Sequence, residues 1–271
     1  MQEQKRKYMK IVRIAVFGFL LFCTYLLLLY VIQDRLIYHP DRNYITPQEA
    51  GVPVFQENPF TMSDVTKVMT WLAKGNKDKP VILFFHGNSR KVSDFVERLM
   101  LFVNSGYTVI AVEYRGFGNT LGKMSEKKAI SDASEVFYWL KSEGYQKIIA
   151  IGYSLGCATV IGLAEINPVD GLVLLAPFTS LEQMVVDTPY PFARYVLKDP
   201  YYSDKRISSI KAPLLIFHGK NDPVIPYTHS EKLYHLSASD NKKLILTEDD
   251  THSSLFFQGN TFETILSWIE D

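Results

Sequence analysis

Cysteine is nearly absent: the chain of 271 residues has two, Cys23 and Cys157. Cys23 falls in a long apolar run, so the rest of the chain cannot hold an internal disulfide. No Cys/His group has zinc-ligand spacing, and no metal site is expected. Net charge is lacking too, with 29 basic and 29 acidic residues. No basic stripe runs through the body, which argues against a nucleic-acid-binding surface. There is no internal repeat, no low-complexity tract and no Asn-x-Ser/Thr sequon. The glycine-rich stretch from Gly116 to Gly122 has neither dinucleotide-fold nor P-loop spacing, and no Lys-Ser/Thr ends it. It reads as a turn, and no nucleotide or other cofactor is expected.

Charge is also missing from residues 14–32, a run that is apolar on every side and long enough to span a bilayer core as a helix. Lys5, Arg6, Lys7, Lys10 and Arg13 precede it. A cleaved signal peptide is the main rival, but no small-x-small cleavage pattern follows the run. The expectation is therefore a basic tail over 1–13 and a membrane anchor over 14–32. By the positive-inside rule the N-terminus is cytoplasmic and the large domain lies on the other face. That face is the periplasm for a bacterial inner membrane, the favoured case, and the lumen or exterior for a eukaryote. Residues 33–60, rich in Pro, Asn and Tyr, read as an irregular stalk packed on the domain edge.

From residue 61 onward the pattern alternates. Residues 65–72 suggest an outer strand, and 81–85, 108–112, 148–151, 172–175, 214–217 and 243–246 read as further strands, mostly continuously apolar. Helical spacing covers 92–103, 129–140, the stretch after 154, and 262–269. Such alternation predicts one α/β domain over 61–271. Its sheet would be mostly parallel and doubly wound, with right-handed crossovers and ligands at the carboxyl ends of the strands.

Polar candidates sit just there. Gly152-Tyr153-Ser154-Leu155-Gly156 lies between an apolar strand and a small-residue helix, the setting of a nucleophile elbow. The bare pentapeptide turns up by chance in about one such chain in twenty, so its context has to carry the inference. Ser154 would present its hydroxyl at the tip, and the Leu155 N–H would face a developing oxyanion. The second donor is expected in His86-Gly87-Asn88 after the 81–85 strand, and is assigned to the Asn88 N–H with its side chain in support. His86 is read as shaping that loop. An acid and then a histidine should follow the serine in chain order. Asp222 follows the 214–217 strand and His252 the 243–246 strand, so His252 would take the Ser154 proton while Asp222 holds its tautomer. Asp249 and Asp250 are too near His252 in sequence to orient its ring and read as a solvated turn. His218 reads as a loop histidine, His229 and His235 as surface positions, and Cys157 as a small core residue.

The motifs LIYHP, PVILFFHGN, VEYRGFGNTLG, IGYSLG, LLAPFTSLEQMV, the stretch from YPFARYVLKDP to HGKNDPVIP, and THSS resemble the α/β-hydrolase superfamily. More narrowly they resemble its small membrane-anchored serine hydrolases of the "alpha/beta hydrolase domain-containing" type. The resemblance covers residue 36 to the C-terminus. It implies a sheet of about eight strands, and nucleophile, acid and base at Ser154, Asp222 and His252 with oxyanion donors at Asn88 and Leu155. It also implies a short helical cap at about 178–209. Met184, Tyr190, Phe192 and Tyr195 there either line an acyl site or pack the segment onto the domain. Two departures stand out: Ser63-Asp64-Val65 where relatives often carry an Asp-Gly turn, and Glu113 where many carry Asp. Neither is expected to touch the chemistry. The implied activity is membrane-tethered hydrolysis of carboxylic esters or thioesters, with lipophilic acyl groups as substrates. A serine peptidase or amidase, and an inactive binding scaffold, are the alternatives.

Overall fold

A computed structural model describes residues 1–186, 188–257 and 260–270. Eight strands form one sheet: β1 (Gln56–Thr61), β2 (Lys67–Ala73), β3 (Val81–Phe85), β4 (Thr108–Val112), β5 (Ile148–Tyr153), β6 (Gly171–Leu175), β7 (Leu214–Gly219) and β8 (Lys242–Thr247). Their order is β1-β2-β4-β3-β5-β6-β7-β8. β1 and β2 are antiparallel to their neighbours, and every pairing from β4 to β8 is parallel.

The helices are α1 (Gln2–Ile37), α2 (Val96–Asn104), α3 (Glu126–Ser142), α4 (Leu155–Ile166), α5 (Leu181–Met184), α6 (Ser203–Arg206), α7 (Thr228–Leu236), α8 (Ser254–Phe257) and α9 (Thr261–Glu270). Period-two geometry splits the central strands between two cores. Val81, Leu83 and Phe85 join Ile148 and Ala150 in one cluster, covered by Ala133, Phe137, Val160 and Ile161 of α3 and α4. Ile82, Phe84, Ile149 and Ile151 face the other cluster with Leu99 and Phe102 of α2 and Phe262 of α9. Burial on both faces is why these strands read as unbroken apolar runs.

The stalk differs from expectation at both ends. Its first residues, to Ile37, continue α1, and residues 56–60 belong to β1, paired antiparallel with β2. Pro59 and the polar run Gln56-Glu57-Asn58 hid this strand. It is tolerated because β1 is the sheet edge, where a missing N–H and a polar surface are acceptable.

The turn between β1 and β2 bears on one departure. Val65 sits at φ 61, stabilised by Val65 N–H donating to Met62 O and by Arg115 and Lys128 on Asp64. A β-branched residue in the left-handed region costs about 1–2 kcal/mol, and the exposed Val65 side chain gains nothing in return. Val65→Gly is therefore expected to raise stability by about 1 kcal/mol, read as a higher midpoint in denaturant with unchanged slope.

The long helix α1 extends beyond the uncharged run in both directions, for about 54 Å at helical rise. It is long and apolar enough to cross a membrane, and its apolar side chains are largely exposed before residue 29. Its second half leans on the insertion between β6 and β7. Phe22 packs edge-on against Phe192, and the Tyr25 hydroxyl donates to Pro191 O. That insertion contains α5, a 3₁₀ turn at Ala193–Tyr195, and α6.

Candidate active site

β3 and β5 are parallel neighbours with Phe85 opposite Gly152. The chain leaving β3 as His86-Gly87-Asn88 thus runs beside Tyr153-Ser154-Leu155 leaving β5. Two glycines make the turn after β5 possible. A Cβ at Gly152 would lie 2.5 Å from the Gly156 backbone, and one at Gly156 would strike the Phe85 carbonyl oxygen. Ser154 itself adopts φ 53, ψ −115, a strained conformation for a residue with a side chain. It is held there by its own N–H donating to Leu175 O on β6 at 2.8 Å, and by its carbonyl accepting from Cys157 N–H. The elbow thus pushes the only half-exposed side chain of the turn out of a buried strand-to-helix junction.

The proposed donors are positioned by the same register. Leu155 opens α4, where an N–H has no intrahelical acceptor. Among the described residues the Asn88 N–H donates to no protein acceptor either. A Cβ at Gly87 would lie 3.2 Å from Ser154 Cβ, so this loop rests directly on the elbow.

Beneath it the structure reveals a contact that sequence reasoning missed. His86 is fully buried with Nδ1 2.8 Å from Gly87 O and Nε2 2.7 Å from Glu113 Oε1. Gly87 O only accepts, so Nδ1 carries a proton. Nε2 and Oε1 face each other in this dry setting at a separation that suits a single shared hydrogen bond. Glu113, expected to be incidental, thus braces the histidine that holds the Gly87–Asn88 peptide. No local pattern signals this pairing.

Asp222 and His252 come together from the ends of β7 and β8. His252 Nδ1 lies 2.7 Å from Asp222 Oδ2, and Oδ1 accepts from Val224 N–H at 2.7 Å and Ile225 N–H at 2.9 Å. Burial pushes the Asp222 carboxyl up. Hydrogen bonding from His218 and His252, the His252 charge, and the Ile225 amide outweigh it and hold the group well below the usual carboxylate range. His218 is more than a loop residue: its Nε2 is 2.8 Å from Ile225 O and 3.2 Å from Asp222 Oδ2, while Nδ1 meets the Ser230 hydroxyl. The His252 loop is pinned from below by Tyr153, whose hydroxyl donates to His252 O at 3.0 Å and whose ring lies 5.2 Å from the imidazole. Ser154 and His252 are therefore both anchored on the residue preceding the serine.

Other candidates sort by contact. Asp250 takes the Ser254 hydroxyl, and Asp249 is exposed. His229 is half-buried rather than a surface residue, its Nδ1 meeting the amide and hydroxyl of Thr179, and burial lowers its pKa. Cys157 is fully buried, which pushes its thiol up, and its Sγ–H points at Gly152 O and Leu175 O. The Asn88 side chain is committed elsewhere, donating to Ile37 O and accepting from His39 N–H. In the insertion, Met184 packs on the core, Tyr190 faces α1 across an apolar groove of about 90 Å³, Phe192 meets Phe22, and Tyr195 is exposed. No group of three or more His, Cys, Asp or Glu among the described residues is placed to hold a metal ion.

A mostly parallel sheet in this order, with a serine elbow after the fifth strand, defines an α/β-hydrolase. A family model described as serine aminopeptidase, S33, matches residues 76–201 and 202–257, and the chain belongs to that family of the α/β-hydrolase superfamily. The uncharacterised protein Rv2307c of Mycobacterium tuberculosis is 30% identical over 220 residues, covering 79% of this chain and 78% of that protein. Lysophosphatidylserine lipase ABHD12 of Xenopus tropicalis is 30% identical over 232 residues, covering 76% of this chain but only 60% of the lipase. Among solved structures, the Pyrococcus furiosus esterase Pf2001 superposes with a TM-score of 0.71 at 21% identity, over 86% of this chain and 96% of the esterase.

Proposed function

We propose that this hydrolase is a serine esterase or thioesterase, tethered to a membrane by α1, that acts on lipophilic acyl substrates. Ser154 Oγ attacks the acyl carbon, and His252 Nε2 takes its proton while Nδ1–H stays on Asp222. The oxyanion is received by the N–H groups of Asn88 and Leu155. His252 then protonates the leaving alcohol or thiol, and water releases the acyl group from Ser154 by the same steps reversed. The observation that carries this reading is the strained elbow at Ser154, backed by the 2.7 Å His252–Asp222 pair on the same sheet edge. The lipid preference rests on the exposed apolar surface of α1 beside the insertion, and on the lipase among the relatives. Basic residues Lys5 to Arg13 ahead of the span support, by the positive-inside rule, a cytoplasmic N-terminus with the domain on the opposite face.

A fluorophosphonate added to membranes expressing the full chain should form an adduct that maps to the Ser154 peptide and stays in the pellet after carbonate extraction. An adduct on another residue, or none, would sink the catalytic assignment, and release by carbonate would sink the tether. The family description names an aminopeptidase, and the same triad cleaves amides. Side-by-side assays of p-nitrophenyl esters and aminoacyl p-nitroanilides separate the two chemistries. Anilide cleavage with esters untouched would make the protein a peptidase.

A further inference from the structure

The segment where α1 meets the domain is tied to both sides of the candidate site. Gln33, buried in the last turns of α1, donates to Val196 O at 2.9 Å and accepts from Lys198 N–H at 2.7 Å. The buried Tyr38 hydroxyl lies 2.8 Å from Asp199 Oδ2 and 2.9 Å from the Tyr201 hydroxyl. These contacts fasten the segment to the β6–β7 insertion. On its other side, Asn88 Nδ2 donates to Ile37 O at 2.7 Å and Asn88 Oδ1 accepts from His39 N–H at 3.1 Å. Lys91 pairs with Asp41, and Asp41 O accepts from Gly118 N–H at 2.8 Å.

Both polar ends of the Asn88 side chain are thus spent on the backbone at and just beyond the end of α1, while its N–H is the proposed oxyanion donor. The next residue, Ser89, is held at φ 59, a left-handed conformation that survives only where its surroundings impose it. Asn88 is clamped on one side of Ser89 and Lys91 on the other, so the loop conformation depends on contacts made by residues 37–41. Oxyanion donors act only when preorganised to within tenths of an ångström of the developing charge.

We propose that the segment Ile37–Asp41 is a positioning element of the catalytic site. By gripping the Asn88 side chain it aims the Asn88 N–H, so turnover depends on how the anchor helix is seated. The inference rests on the serine-hydrolase reading above. Asn88 is a positioning residue through its side chain, distinct from the role of its N–H, which every substitution but proline retains.

The test uses the full chain in detergent and a p-nitrophenyl ester, with Asn88→Ala, His39→Pro, which removes the second N–H of the clamp, and the double variant. Each single change is expected to lower kcat by about tenfold to a hundredfold, less than outright loss of a donor, with KM within about twofold. Both act on one clamp, so the double variant should be no slower than the slower single variant. Should His39→Pro not fold, Asp41→Ala, which frees the Lys91 end of the same loop, replaces it in the cycle. A wild-type kcat in Asn88→Ala, a loss confined to KM, or losses that multiply in the double variant would overturn the coupling. Fluorophosphonate labelling of the wild type separates the two levels. If Ser154 is labelled and the Asn88 variants keep full turnover, the positioning role alone falls; if Ser154 is never labelled, the hydrolase reading falls and takes the coupling with it.

Discussion

Ser154→Ala is expected to lower kcat on a p-nitrophenyl ester by about six orders of magnitude, with the melting temperature unchanged within error. The hydroxyl is lost while Cβ and the strained backbone stay, and φ 53 is no worse for alanine than for serine. Cys157 is the nearest other candidate on the chain, but it is fully buried in α4 and its thiol is pushed up by that burial. Residual turnover would come from the oxyanion donors and binding alone. A loss of less than about tenfold would place the nucleophile elsewhere.

Asp222→Asn should cost about four orders of magnitude in kcat for a reason visible in its contacts. Oδ1 accepts from two backbone N–H groups, so that position must remain an oxygen. The amide nitrogen is forced into the Oδ2 position, where it faces His252 Nδ1 as a donor. His252 then carries its proton on Nε2 and has no lone pair for Ser154. The same substitution has a pH signature. Folding favours the Asp222 carboxylate, so its contribution to stability is fully present above the ordinary carboxylate pKa of about 3.9 and fades as pH falls below it. The melting-temperature gap between wild type and Asp222→Asn should therefore be widest near about pH 6 and shrink toward about pH 3. A gap that stays constant or widens on acidification would mean that Asp222 is not held as a carboxylate by its partners.

Much of the fold was readable because its signals are local. The strands from Val81 to Leu175 are apolar on both faces, and the amphipathic runs around Ala133 and Ile265 repeat at helical spacing. Candidate residues were readable because a parallel sheet delivers its strand ends to one edge, and Asn88, Ser154, Asp222 and His252 each follow a strand. β1 was hidden by Pro59 and polar neighbours, since an edge strand needs neither apolar alternation nor every N–H. The contacts of Glu113 and His218 are not legible in the sequence because their partners are set by packing. Glu113 meets His86 from the adjacent strand, and His218 turns back on Asp222 inside the loop after β7.

The amino-acid order alone determined an α/β chain with a long uncharged N-terminal run, and a serine, an acid and a histidine in the succession an elbow requires. Periodicity and turn chemistry are properties of neighbours in sequence, so they survive without a structure. Only the tertiary fold decided what stands behind those residues: the Glu113–His86 brace, Tyr153 under His252, and the grip of residues 37–39 on Asn88. Those contacts join groups many residues apart, and their aim depends on side-chain and loop placement to within a few tenths of an ångström. Nothing in a linear pattern carries that information.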